Sequence, residues 1–188
     1  MIPTMHEPRW TLHGKREAYR GRVVLSEHEV GLPNGDRIRY EVDESVPFTV
    51  AVLGITEAGD MRLAREYRYP VGRWIFDLPG GGAEAGERPI EAAGREYEEE
   101  TGFIPLDLAH LHTFSQNPAR LAYPIHLFVA HRFAVGERVA DDAQEDVRVV
   151  EMPVAVFDAM VGRGEIIDPP LLISRMIAAE KGLLPRVG

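Results

Sequence analysis

The sequence predicts a single α+β domain with a mixed β-sheet, preceded by a small strand-rich arm. Strand-like segments dominate the N-terminal part of the chain, one strong helical pattern follows, and two shorter helical patterns end it. This order lacks the regular strand and helix alternation that is typical of a doubly wound parallel sheet. With 188 residues, 45% hydrophobic and 27% charged, the chain has the length and composition of one globular domain.

The composition excludes several classes of protein. The chain has no cysteine, which rules out disulfides, thiolate nucleophiles and cysteine-ligated metal centres. Its net charge of −9 repels phosphate backbones, so we expect no nucleic-acid partner. The N-terminus is charged rather than apolar, and uncharged stretches such as residues 47–56 are too short to cross a bilayer. We therefore expect a cytoplasmic protein with no membrane partner.

Turn residues divide the first part of the chain into strands. Asn34-Gly35 is a strong hairpin signal, and it separates two extended segments. Residues 1–45 carry this hairpin ahead of the first strongly hydrophobic strand, so we expect them to form a separate arm, with the main domain at 46–188. Strands are predicted over residues 22–29, 37–42, 47–56, 61–69 and 73–78.

A helix is predicted over residues 89–101, because Pro89 suits a first helical position and Gly102 suits a stop. Two helices end the chain, and Asp168 is placed to cap the last one. Between the first helix and these two, extended segments are predicted over residues 108–114, 124–133 and 147–152, with a polar loop at 139–146.

The predicted helix is strongly acidic. Residues 81–103 contain seven glutamates against two arginines. On a helical wheel Ile90, Ala93 and Tyr97 form the core face, and three carboxylates converge at its edge. These carboxylates belong to Glu96, Glu99 and Glu100.

Two interpretations of this acidic edge are open. It is either an ordinary solvated face or a binding site for a cation. Like charges three and four residues apart repel, and anions are disfavoured at the C-terminal end of a helix. A divalent cation would remove both penalties, and oxygen ligands suit Mg²⁺ or Mn²⁺.

The glycine loop and the helix together resemble the Nudix box, G-x5-E-x7-R-E-U-x-E-E-x-G-U, where U is a bulky apolar residue. Every fixed position of that pattern is filled, from Gly81 and Glu87 through Arg95 to Phe103. The resemblance implies the Nudix α/β/α sandwich and hydrolysis of a nucleoside diphosphate linked to another moiety. It also implies metal ligands at Glu96 and Glu100, at Glu99 or a water beside it, and at the Gly80 carbonyl.

Features outside the box resemble the ADP-ribose pyrophosphatase branch, which includes nucleoside diphosphate sugar hydrolases. The segment from Arg65 to Gly81 is similar to its R-Q-Y-R…E-x-P-A/G-G pattern, and Pro118 lies where a proline marks the branch. This implies substrate contacts from Arg65, Arg68 and Pro118. The two arginines are equally interpretable as charges at a strand edge, and Pro118 as an ordinary loop proline.

The resemblance implies a pyrophosphatase that uses Mg²⁺, or Mn²⁺, to cleave ADP-ribose or a related nucleotide sugar. The alternatives are a hydrolase of dinucleoside polyphosphates, flavin nucleotides or coenzyme A, and a non-catalytic ADP-ribose-binding domain. In the resembled branch the general base is a glutamate in a loop before the last strand, which points to Glu145, with Asp142 or Glu99 as alternatives. Members of the branch are commonly dimers with N-terminal strands in the interface, so we expect residues 1–45 to support homodimerisation.

Overall fold

The computed structural model describes residues 8–136 and 147–186. Two compact units make up the fold. Residues 1–45 and 117–123 belong to the first unit, and residues 46–116 and 124–188 belong to the second. The second unit contains the acidic helix and the glycine loop that precedes it.

The first unit is a three-stranded antiparallel sheet of β1 (Thr11–Arg20), β2 (Val24–Gly31) and β3 (Arg37–Asp43), in that order. The predicted Asn34-Gly35 turn joins β2 to β3, with Gly35 at a φ of 92°. The segment 117–123 is bound to the end of β3, since Asp43 N donates to Arg120 O at 2.8 Å and Ala122 N donates to Asp43 O at 3.0 Å. Strand β1 was not delimited from the sequence, because nearly all of its residues are exposed and no apolar alternation marks it.

The second unit is built on a six-stranded mixed sheet. The strands are β4 (Thr49–Ile55), β5 (Met61–Arg68), β6 (Arg73–Asp77), β8 (Ala109–Phe114), β9 (Ile125–Ala130) and β11 (Arg148–Met152). Their order in the sheet is β11-β5-β4-β9-β8, with β6 paired to β5. The β4–β9 pair is parallel and the other pairs are antiparallel.

Helices cover both faces of this sheet. On one face α1 (Pro89–Thr101) packs through Ala92, Ala93 and Tyr97 against apolar residues of β4 and β9. On the other face α2 (Val154–Gly162) and α3 (Pro169–Glu180) enclose a second apolar cluster. The predicted α+β class and the α/β/α layering are therefore confirmed.

The bounds of α1 agree with the sequence prediction, and Gly102 ends the helix with its N–H donated to Glu98 O at 2.7 Å. One predicted core residue is wrong: Ile90 is 43% exposed. It lies in the first turn, ahead of Ala92 and Ala93, where the contact of the helix with the sheet begins.

The predicted strand over residues 124–133 is divided in the structure. It forms β9 and a separate short strand, β10 (Phe133–Val135), which pairs with β7 (Phe103–Pro105). The sequence did not indicate β7, because three residues are too few to show an alternation. At the end of the chain, Asp168 Oδ1 accepts a hydrogen bond from Leu171 N at 2.8 Å, which confirms the predicted cap of α3.

Candidate active site

The glycine loop between β6 and α1 is attached to the edge of β4. Strand β5 pairs with β4 only at its first two residues and then continues with β6, which leaves the rest of β4 open on that side. The loop fills this edge through backbone hydrogen bonds from Val52 N to Pro79 O and from Val50 N to Gly81 O, both 2.9 Å. The sheet thus holds the loop by its main chain, independently of side chains.

Two glycines of this loop have no room for a side chain. A Cβ at Gly80 would lie 2.7 Å from Ala51 Cα, against the backbone of β4. A Cβ at Gly81 would lie 2.6–2.8 Å from the carboxyl atoms of Glu96. Glycine is required at both positions because backbone or a functional carboxylate takes the space.

The carboxylates of α1 meet this loop. Glu100 Oε2 accepts a hydrogen bond from Gly80 N at 3.1 Å. Glu96 and Glu99 both accept from Arg95 Nη1, at 2.9 and 3.0 Å. The structure therefore places Glu96 and Glu100 against the loop, and Arg95 links Glu99 to Glu96.

The Arg95 side chain on α1 makes hydrogen bonds with two residues of the preceding loop. Its Nε and Nη2 donate to both carboxylate oxygens of Glu87, at 3.0 and 3.1 Å, and Nη2 also reaches Gly82 O at 3.2 Å. This two-point pairing of a guanidinium with a carboxylate is geometrically specific. The Arg95–Glu87 pair thus ties α1 to the loop that precedes it.

Burial disfavours the ionised form of the carboxylates in this site. It raises the pKa of Glu100 to about 9, against the favourable effect of the Gly80 N–H, and neighbouring acids add to the rise. Burial also raises the pKa of Glu96, although Arg95 opposes it. Both carboxylates would be ionised more readily if a cation compensated their charge.

The donor set fits a hard divalent cation, since it consists of carboxylates beside a loop backbone whose glycines leave space for them. Over residues 8–136 and 147–186, however, no three acidic or histidine side chains are arranged as a metal-binding group. Arg95 Nη1 engages one oxygen of each of two carboxylates, Glu96 Oε1 and Glu99 Oε2. The second oxygen of each carboxylate is not bonded to Arg95 and could serve as a ligand.

The two predicted substrate arginines lie on different faces of β5, because side chains alternate along a strand. Arg68 faces the α1 side and donates from Nη2 to Asp77 Oδ2 at 2.8 Å and also to Glu66. The Arg65 guanidinium instead lies over the Phe76 ring, 5.3 Å from its centroid, and Phe76 packs toward α2 and α3. The structure therefore brings Arg68, but not Arg65, to the acidic site.

The remaining predicted site residues are Pro118, Glu145 and Asp142. Pro118 is exposed in a turn of the first unit, where Arg120 N donates to Asn117 O at 2.9 Å. Glu145 and Asp142, the predicted loop acids, lie outside the described residues. Their roles stay predictions.

Sequence reasoning missed three further acids beside the site. Glu66 and Asp77 are neighbours on β5 and β6, and Asp168 belongs to the start of α3. Burial raises the pKa of Glu66 to about 8 and that of Asp168 to about 6, and it raises the pKa of Asp77 as well. The strand pattern carried no signal for them, since β5 also contains three arginines and Asp77 is the last residue of β6.

The fold is that of a known solved structure. A crystal structure described as an ADP compounds hydrolase superposes with a TM-score of 0.76 at 23% identity, over 96% of this chain and 98% of that one. The likeness shows the architecture and, at this identity, nothing more. No helix among the described residues is both long and apolar enough to span a membrane.

Comparison with protein-family models matches residues 46–169 to the NUDIX domain. The chain therefore belongs to the Nudix family of hydrolases. Among curated relatives, an ADP-ribose pyrophosphatase of Bacillus subtilis is 33% identical over 82% of this chain and 84% of its own length. A methanol dehydrogenase activator of Bacillus methanolicus is 36% identical over 72% of this chain and 74% of its own.

Proposed function

We propose that the protein hydrolyses the pyrophosphate bond of ADP-ribose or a related nucleoside diphosphate sugar, producing a nucleoside monophosphate and a sugar phosphate. The observation that carries the proposal is the pair of partly buried carboxylates, Glu96 and Glu100, placed against the Gly80–Gly81 backbone. A relative named ADP-ribose pyrophosphatase that covers most of the chain supports the substrate class.

The reaction needs a cation, and we propose Mg²⁺, with Mn²⁺ able to replace it. Glu96, Glu99, Glu100 and the Gly80 carbonyl would hold it. When bound, such an ion neutralises the pyrophosphate oxygens and lowers the pKa of a water molecule. The glycine loop lets the substrate approach the backbone closely, and Arg95 keeps α1 aligned with that loop.

The proposed roles of the other residues follow from the same chemistry. Glu145 is the proposed general base, with Glu99 next to the metal ligands as the alternative. Arg68 is proposed to contact the diphosphate, because its guanidinium is half exposed beside the site, with a side-chain exposure of 50%. Substrate contacts of Arg65 and Pro118 stay predictions from the sequence.

The test is turnover of a panel of nucleoside diphosphate compounds with Mg²⁺ and with Mn²⁺, with products separated by chromatography. The panel contains ADP-ribose, nucleotide sugars, dinucleoside polyphosphates, flavin adenine dinucleotide and coenzyme A. Glu96→Gln and Glu100→Gln should abolish turnover, whereas Glu98→Gln, on the other flank of α1, should be nearly silent. Preference for a compound other than a nucleotide sugar would replace the proposed substrate, and a fully active Glu100→Gln enzyme would refute the proposed site.

We also propose that the protein is a cytoplasmic homodimer, without a nucleic-acid or membrane partner, and that residues 1–45 form a dimerisation arm. The exposed side chains of Trp10, Leu12 and Tyr19 support this, since large apolar groups on a small sheet favour association. Sedimentation at micromolar concentration should find two copies. A monomer that keeps full activity after removal of the first 40 residues would contradict it.

A further inference from the structure

The Arg68 guanidinium is anchored at one corner by two carboxylates. Its Nη2 atom donates to Asp77 Oδ2 at 2.8 Å and also contacts Glu66. Asp77 and Glu66 come from paired strands, since Ala64 pairs with Asp77 and Glu66 with Ile75 in the β5–β6 ladder. The anchor is therefore part of the sheet rather than of a loop.

This anchoring leaves most of the guanidinium available. Arginine carries five N–H donors, and the two on Nη2 are directed to Asp77 and Glu66. No other hydrogen bond of the Arg68 side chain is found among residues 8–136 and 147–186, so Nε and Nη1 retain three donors. The side chain is half exposed, which leaves these donors open to a ligand.

Asp77 is well suited to fix this orientation. The residue is 4% exposed, so its side chain has little freedom to move. Asp77 also stands three residues before Gly80, so the anchor of Arg68 and the glycine loop are rigidly connected through one short segment.

We infer that Asp77 is a positioning residue, which holds Arg68 so that its Nε and Nη1 donors remain available to the diphosphate of the substrate. Because Nη2 belongs to both paired-donor edges of a guanidinium, Nε and Nη1 act separately, and each can donate to one phosphate oxygen. Asp77 does not touch the substrate in this arrangement. The inference rests on the proposed function, since it assumes that the substrate is a diphosphate.

The test is a double-mutant cycle of Asp77→Asn and Arg68→Ala in the full chain, with KM and kcat measured on the substrate that the wild type prefers. Asp77→Asn should raise KM about tenfold and change kcat less than threefold. Arg68→Ala should raise KM by at least as much. The double variant should be no worse than Arg68→Ala, because residues that act through one contact are non-additive.

Asp158→Asn is the matched control. Asp158 pairs with the buried Arg175 at 2.7 and 2.9 Å between α2 and α3, so its loss should lower stability without changing KM. Asp77→Glu, which keeps a carboxylate, should return KM toward the wild-type value and serves as the second variant if Asp77→Asn does not fold. An unchanged or lower KM in Asp77→Asn, KM increases that multiply in the double variant, or an Asp77→Glu enzyme no better than Asp77→Asn would each overturn the inference.

Failure of the proposed function is separable from failure of this inference. If the wild type cleaves no compound of the panel, the proposed function is wrong, and five proteins are compared by calorimetric titration with inorganic pyrophosphate. They are the wild type, Asp77→Asn, Arg68→Ala, the double variant and Asp158→Asn. The anchoring of Arg68 would still be supported if Asp77→Asn binds pyrophosphate more weakly than the wild type and Asp158→Asn does not. The double variant should then bind no more weakly than Arg68→Ala. Equal affinities would overturn it.

Discussion

The Tyr97 hydroxyl lies directly against Gly54 of β4, so closely that a Cβ at position 54 would stand 3.2 Å from Tyr97 Cζ and nearer still to the hydroxyl oxygen. Tyr97 is fully buried and stacks on Phe133, with ring centroids 5.5 Å apart. It directly follows Glu96 in the chain. The distance of α1 from the sheet is therefore set by the absence of a side chain at Gly54.

Gly54→Ala should displace α1 and reduce both stability and activity. Overpacking a full core costs about 1–3 kcal/mol, and the displaced helix would move Glu96 and Glu100 away from the loop. Thermal unfolding and kcat of the variant measure the two effects. Gly94→Ala, on the same helix, is the control, because its Cβ would meet only Leu108 Cδ1 at an ordinary 3.7 Å.

If Tyr97 is the obstacle, removing its hydroxyl should relieve it. Gly54→Ala combined with Tyr97→Phe should therefore regain part of the lost stability, relative to the sum of the two single changes. Strict additivity of the two losses would show that the tight contact does not control the position of α1.

Gly81→Ala should impair catalysis with little change in folding. The new methyl group would enter the space of the Glu96 carboxylate, and misplacement of a reacting group by about 1 Å can cost about a hundredfold in rate. We expect a loss of kcat of that order at an unchanged far-ultraviolet circular dichroism spectrum. Gly82→Ala should be much milder, since its Cβ would meet Val46 Cγ1 at 3.0 Å, an apolar side chain rather than a ligand.

Without metal, stability should fall as the pH rises. The folded-state pKa of Glu100 is about 9 against an ordinary 4.5, so the folded state binds a proton that the unfolded state releases. The stability loss therefore begins above about pH 4.5 and continues to about pH 9, with a magnitude of a few kcal/mol. Melting temperatures in EDTA across this range should show it.

Glu100→Gln should flatten that dependence, because the amide has no proton to lose. A remaining slope is expected from Glu66 and Glu96, whose pKa values are raised in the same direction. A metal-free wild type that gains stability from pH 5 to pH 9 would contradict the burial of these carboxylates in their protonated form.

Asp168→Ala should weaken the start of α3. The Asp168 side chain caps Leu171 N, and loss of such a cap costs about 1 kcal/mol, or roughly 3 °C in melting temperature for a chain of this size. Asp168→Asn keeps an oxygen acceptor and removes an acid whose pKa burial raises to about 6. At pH 8 the asparagine variant should match or exceed the wild type, and an equal loss in both variants would exclude the cap as the cause.

Glu145→Gln should lower kcat by about 10²–10⁴-fold if Glu145 is the general base, with little change in KM or metal affinity. Asp142→Asn provides the comparison within the same loop. Rate losses below about tenfold in both variants would assign the role to Glu99 instead. Single-turnover rates would separate the chemical step from product release.

Much of the site was predictable from local sequence. The bounds of α1 and the edge on which its carboxylates lie follow from helical spacing and from the residues that flank the helix, because all of these residues lie within one short segment. The Asp168 cap and the Asn34-Gly35 turn were predictable for the same reason. Each depends on contacts between near neighbours in the chain.

Contacts between distant segments were not predictable in this way. The three-residue β7 exists only because β10 pairs with it, and Arg65 and Arg68 were equivalent until the strand alternation and the position of Phe76 separated them. The anchor of Arg68 needs Asp77, nine residues away on another strand. No local pattern encodes such a pair.

The sequence by itself determined the class of the chemistry through the resemblance of the glycine loop and α1 to the Nudix box, and helical spacing brings the acidic residues of that box to one edge. The tertiary structure decided which charges share a site and how deeply they are buried, and so which of them hold protons. The physical reason is that spacing acts over one or two helical turns, whereas burial and ion pairing depend on which strands the sheet places side by side. Glu100 illustrates both, since its position on the helix follows from spacing and its raised pKa follows from the sheet and loop that enclose it.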